Sequence, residues 1–140
     1  MNKNALVMID MQRGFIDPSS PLCIPYAAAT VPACAKMIDF CHEKGIPVFY
    51  VVRHYRADGT DVEKARYKAW AEGGRPMSEV CSPNMSDTYP EEFTILDKDY
   101  IIIKPRFSAF FHTSLDLILR RLGVENVMIA GTTTPNCIRT

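Results

Sequence analysis

The sequence predicts an α/β protein, a three-layer α/β/α sandwich around a parallel sheet. Three observations predict it. Short apolar runs without alternation fit strands buried on both faces. Stretches with helical apolar spacing separate those runs. Three of the runs deliver a chemically capable residue at or beyond the carboxyl end: Asp10, Lys104 and, past a Gly/Thr-rich bend, Cys137. Open parallel sheets build their sites beyond those ends, where the winding reverses.

The first strand is Ala5 to Ile9, ending on Asp10. Pro21 to Pro25 reads as loop, and from about Thr30 the apolar residues Val31, Cys34, Ala35, Ile38 and Cys41 take helical spacing. Pro32 is expected in the first turn of that helix, with Gly45 as its stop. Pro47 to Val52 is the second strand. Residues 53–99 form a long polar segment, expected to be a lid or binding insert with one helix over Val62 to Ala71. Tyr67, Trp70, Met77 and Phe93 give it something to bury. Tyr100 to Ile103 is the third strand, running into Lys104. Thr113 with Asp116 suggests a capped helix carrying Leu115, Ile118, Leu119 and Leu122, stopped by Gly123. Asn126 to Gly131 is the fourth strand.

Composition narrows the function classes. With 140 residues the chain is one domain with room for a core. Sixteen basic and sixteen acidic residues cancel, which removes the electrostatic case for nucleic acid or an anionic membrane as partner. The apolar runs are too short to span a bilayer. Five cysteines make no CxxC pair and no even framework, so a reduced, cytoplasmic setting is expected. Cys34 and Cys41 share one helix face and read as small core residues, while Cys23 and Cys81 fall in loops.

Cys137 has the chemically suggestive setting. A free thiol has a pKa near ~8.5, so at neutral pH it needs a base to take its proton or a cation to favour thiolate. Asp10 and Lys104 can supply both, doing what histidine does in other cysteine hydrolases. Of the three histidines only His54 stands near a strand end; His42 lies within a helix and His112 precedes a cap. Taken singly each member has a bland alternative: Asp10 capping a loop, Lys104 a solvated strand end, Cys137 a buried small hydrophobe.

The segments Ile9-Asp10-Met11-Gln12-Arg13-Gly14-Phe15, Lys104-Pro105-Arg106-Phe107-Ser108-Ala109-Phe110 and Gly131 through Cys137 resemble, in order and spacing, the isochorismatase-like cysteine hydrolase superfamily. That superfamily includes nicotinamidases, carbamoylsarcosine-type amidases and isochorismatases. The resemblance implies a sheet of order 3-2-1-4-5-6, of which this chain holds the first four strands. It implies Cys137 as nucleophile, Asp10 as general base and Lys104 as the cation that favours thiolate and orients the pair. It further implies a cis peptide between Thr132 and Thr133, with the Thr133 and Cys137 backbone N–H groups as oxyanion donors. In that order Lys104 lies two strands from Asp10, roughly 10 Å away, a gap that only a long side chain covers.

The same resemblance places the thiol at the start of a helix, whose dipole would favour thiolate, with further strand–helix units behind it. The domain, residues 1–140, is therefore expected to lack its C-terminal part. A homodimer or homotetramer is implied. Phe15, Trp70 and Phe107, with a lid around Arg66 to Met77, are the expected substrate contacts, although core packing would explain Phe107 and Phe110 equally well.

Departures matter too. Nicotinamidases of this superfamily carry an Asp-x-His metal motif after the second strand; here the stretch is Arg53-His54-Tyr55-Arg56-Ala57-Asp58, and the next His is His112. No metal and no cofactor is expected, since a stable site needs three or more ligands. Isochorismatases proper work without the cysteine, so Cys137 favours a small-molecule amide, carbamoyl or ureido substrate. Two alternatives stand beside that reading: a hydrolase of isochorismatase type cutting another bond, and a non-catalytic, oligomer-forming member. A nucleotide-binding doubly wound protein is disfavoured, because no GxGxxG or GxxxxGK[ST] is present.

Overall fold

The computed structural model describes residues 3–140; Met1 and Asn2, at the start of the expected domain, lie outside the described residues. Four parallel strands form one sheet in the order β3-β2-β1-β4: β1 (Asn4–Ile9), β2 (Val48–Arg53), β3 (Tyr100–Lys104) and β4 (Asn126–Gly131). The central strands β1 and β2 are almost wholly buried, which is why they read as unbroken apolar runs. The helices, in chain order, are α1 (Arg13–Ile16), α2 (Ala27–Glu43), α3 (Tyr67–Glu72) and α4 (Leu115–Arg121). None of them is long and apolar enough to cross a membrane.

The two sheet faces carry separate cores. Leu6, Met8, Val48 and Tyr50 point to one face, where Val31, Cys34, Ile38 and Cys41 of α2 cover them. Ala5, Val7, Ile9, Phe49 and Val51 point to the other, under Leu115 and Leu119 of α4. Strand alternation thus sorts one apolar run into two layers of packing. A third, smaller cluster joins Tyr55, Val62, Trp70 and Met77 within the long connection between β2 and β3.

Three local expectations differ from what forms. Helix α2 begins at Ala27, so Pro32 sits beyond the first turn. The run Ala27-Ala28-Ala29 extends the helix backwards, because alanine is the best helix former. The helix expected over Val62–Ala71 shrinks to α3 (Tyr67–Glu72). Its first half is held in turns instead: the Asp61 carboxylate accepts from the Arg56 N–H at 3.0 Å, and Val62 is drawn into the small cluster. At α4 the N-cap is Ser114, not Thr113. The Thr113 hydroxyl donates to the Ala109 carbonyl and accepts from the Leu115 N–H at 3.3 Å.

The ends of β1 and β4 are joined tightly. Thr132 N–H donates to the Ile9 carbonyl at 3.0 Å, and its hydroxyl donates to the Asp10 carbonyl at 3.0 Å. Gly131, with φ 123°, makes this approach possible, since a Cβ there would collide with the Ile9 backbone. Gly131→Ala is expected to destabilise the fold by about 3 kcal/mol or more. Gly123→Ala, at φ 68° in open space, should lose only about 1–2 kcal/mol. Urea denaturation of both variants checks the contrast; equal losses would mean that the close approach is relaxed elsewhere.

Candidate active site

The topology brings Asp10, Lys104 and Cys137 together from three different strands. Asp10 follows β1 and adopts φ 53°, a left-handed conformation that turns the chain sharply at the strand end. Lys104 is the last residue of β3 and is fully buried. Its side chain crosses beneath the end of β2, and Nζ meets Asp10 Oδ2 at 2.9 Å. Nζ also donates to the carbonyls of Phe107 at 2.9 Å and Arg106 at 3.2 Å. An ammonium has three protons, and these three acceptors use them all.

Cys137 stands in a single π-turn, Thr134–Ile138, that follows the bend after β4. The Thr132–Thr133 peptide is cis. The N–H groups of Asn136 and Ile138 both close on the Thr133 carbonyl at 3.1 Å. Asp10 and Cys137 line one cleft of about 240 Å³, together with Phe15, Arg53, Phe107 and Thr133. Asp10 Oδ1 is buried there without a hydrogen-bond partner among the described residues. It is an open acceptor within interaction range of the thiol.

Burial pushes the Asp10 carboxyl above the usual carboxylate range, although Lys104 pulls it down. Burial also pushes the Cys137 thiol up, and the Asp10 charge adds to this more than Lys104 relieves it. Burial and the Asp10 charge thus oppose the thiolate that a helix dipole and a cation were expected to favour. Cys34 and Cys41 are likewise raised by burial and sit in the α2 core, as expected of small packed residues.

Lys104 is thus not a solvated strand end, and Phe15 and Phe107 both face the cleft. Trp70 does not line it. Its indole N–H donates to the Pro76 carbonyl at 2.8 Å, and its ring walls an adjoining cavity of about 390 Å³. Phe15, Leu22, Arg53 and Arg66 border both spaces. His54 pairs with Asp87 at 2.6 Å and His42 with Asp99 at 3.0 Å, outside the cleft lining. No group of three or more His, Cys, Asp or Glu that could hold a metal ion occurs among the described residues.

Two residues escaped sequence reasoning. Gln12 is fully buried, and its amide donates to the Arg53 carbonyl at 2.7 Å and accepts from the Arg53 N–H at 3.2 Å. It clamps the end of β2 to the turn after β1. Arg53 is buried, with its guanidinium 5.2 Å from the Phe107 ring centre. The signal for both was their place just beyond buried strands, where a polar residue reads equally well as solvated.

Fold and cleft together define a class: α/β proteins with a parallel sheet and a cleft beyond the carboxyl ends of its strands. The chain belongs to the isochorismatase family, whose Isochorismatase domain profile matches residues 4–140. A protein of Arabidopsis thaliana described as a probable inactive nicotinamidase is 36% identical, over 96% of this chain and 68% of its own length. The maleamate amidohydrolase of Pseudomonas putida is 32% identical, over 98% of this chain and 62% of its own. The chain thus spans about two thirds of the length of these curated relatives. Among solved structures, an isochorismatase family protein of Desulfovibrio vulgaris superposes with TM-score 0.88 at 37% identity, over 99% of this chain and 72% of that one. The N-carbamoylsarcosine amidase of Thermoplasma acidophilum does so with TM-score 0.78 at 30% identity, over 99% and 72%. Amidases acting on non-peptide C–N bonds are therefore among its relatives.

The buried pair sets two expectations. Lys104→Met leaves Asp10 buried without its paired cation, which should destabilise the protein by about 3–5 kcal/mol at pH 7. The variant raises the folded-state pKa of Asp10 further above its unfolded value, so the loss should grow as pH rises through that window. Adding Asp10→Asn should restore part of the stability, as denaturation of the single and double variants will show. Asp10→Asn alone, which tolerates φ 53° as Asp does, should lower the Cys137 pKa by removing a neighbouring negative charge. Thiolate absorbance against pH reads this directly; an unchanged or higher midpoint would mean that the two groups do not interact.

Proposed function

We propose that the protein is a metal-independent cysteine amidohydrolase that cleaves an amide or carbamoyl C–N bond of a small molecule through a thioester. The observation that carries this is a cleft lined by both Asp10 and Cys137, with Lys104 buried behind it and paired to Asp10 at 2.9 Å. Asp10 takes the Cys137 proton as sulfur attacks the substrate carbonyl carbon. The backbone N–H groups of Thr133 and Cys137 receive the developing oxyanion. The C–N bond then breaks, and Asp10 returns the proton to the departing nitrogen, releasing ammonia or an amine. Water next attacks the thioester, losing a proton to Asp10; the C–S bond breaks and the thiol is re-formed with that proton. The sum is amide plus water giving acid plus amine.

Lys104 holds the carboxyl in place and limits the rise of its pKa, so that a buried base can still ionise. Phe15 and Phe107 flank the reacting group, and Trp70 acts at one remove, through the adjoining cavity. The relatives named as acting on maleamate and N-carbamoylsarcosine support this class of bond. The relative described as probably inactive supports a second reading, a family member that binds without turnover.

Ammonia release from a panel of small amides and carbamoyl compounds separates the two. Cys137→Ala is expected to reduce release at least about a thousandfold, as loss of a covalent nucleophile does in related chemistry. Release that persists in the variant would sink the cysteine mechanism. Binding of panel members without release would favour the second reading.

A further inference from the structure

We propose that the molecule this site accepts is anionic, an amide or ureido compound bearing a carboxylate, and that Arg66 with Arg53 receives its charge. This rests on the amidohydrolase reading and adds to it the charge of the substrate.

The charges around the cleft do not balance. Asp10 is matched by Lys104 at 2.9 Å. Arg53 has Glu63 only at 3.5 Å, and its Nη1 donates to the Tyr55 hydroxyl at 2.9 Å. That hydroxyl in turn donates to Glu63 at 3.0 Å, so the carboxylate is already shared. Arg66 also borders the cleft and has no ion-pair partner among the described residues. Two guanidinium groups thus face one carboxylate, leaving a positive surplus in the wall.

The second observation concerns hydrogen bonds. The Arg53 side chain is 6% exposed, yet its Nε and Nη2 are buried with no partner among the described residues. A guanidinium offers five N–H donors, and leaving charged donors buried and unmatched is unfavourable. With no acceptor on these donors, the Arg53 charge is incompletely compensated and adds to the positive potential of the wall. A carboxylate is the group whose two oxygens match the planar fork.

Geometry distributes the roles. Arg53 and Arg66 both approach the Phe107 ring, at 5.2 and 5.0 Å from its centre. Arg53 is buried and clamped by Gln12, so it sets the local potential. Arg66 is exposed and able to meet a ligand oxygen directly. The adjoining cavity, walled by Trp70, Val62 and Met77, is mainly apolar and suits a short carbon skeleton between charge and scissile bond.

The test uses two alkylating probes of one size, iodoacetate and iodoacetamide, on the full chain. Rates at Cys137 are taken at a single pH, so thiol ionisation cancels from their ratio. The iodoacetate-to-iodoacetamide ratio should exceed that of a small uncharged thiol by about tenfold. Arg66→Gln should lower it by a similar factor, the size of one charge-assisted hydrogen bond, with Arg66→Lys restoring part. A ratio equal to that of the small thiol, or one unmoved by Arg66→Gln, would overturn the anion site alone. Failure of both reagents to modify Cys137 would overturn the nucleophile reading, and this inference with it.

Discussion

The ion pair between Lys104 and Asp10 is the contact on which the rest of the site depends, and it exists only because of the sheet order. The two residues end strands that are not neighbours, with β2 between them, so the lysine must run its whole length beneath a strand end. Along that path it is fully buried. A charge in such a place is tolerable only if every proton has an acceptor, and each of its three does. The pair therefore limits what the surrounding backbone can do: the two carbonyls, the carboxylate and the ammonium must all stay where they are.

A second constraint works from the other side of Asp10. The left-handed turn at Asp10 and the glycine at 131 let the ends of β1 and β4 approach until Thr132 bonds to both Ile9 and Asp10. The bend that carries Cys137 is thereby registered against the carboxylate. Chemistry on the thiol then becomes a matter of proton position. With burial raising both groups, neither is ionised as freely as it would be in water. Lys104 opposes the rise in both, so the one cation acts on carboxyl and thiol together.

Much of this was legible in the sequence, for a physical reason. Strands buried on both faces, as β1 and β2 are, must be continuously apolar, and the apolar runs of β3 and β4 stood out beside them; residues at or beyond three of the four strand ends were marked as site candidates. Asp10, Lys104 and Cys137 were found that way. Gln12 and Arg53 were not. Gln12 and Arg53 find each other across 41 residues of chain, and a polar side chain at a strand end gives no sign of whether water or another element will satisfy it. The start of α3 was misjudged because Asp61 competes locally for backbone N–H groups, a preference that apolar spacing does not register. Trp70 was expected as a substrate contact; its indole N–H bonds a carbonyl within its own segment, and its ring walls the cavity that adjoins the cleft.

Phe107 ties the two halves of the site together. Its carbonyl receives one of the three Lys104 protons, so the lysine that holds the Asp10 carboxyl also fixes this residue's backbone. Its ring stands against both Arg53 and Arg66, so the same residue sets where the cationic wall lies. Position of the base and position of the positive surplus are therefore not independent. A change at Lys104 that frees the Phe107 carbonyl would let the ring move, and with it the surface on which the two guanidinium groups rest. Reactivity at Cys137 and discrimination of ligand charge should then be coupled through one short stretch of backbone, Lys104 to Phe107, rather than being properties of separate regions of the cleft.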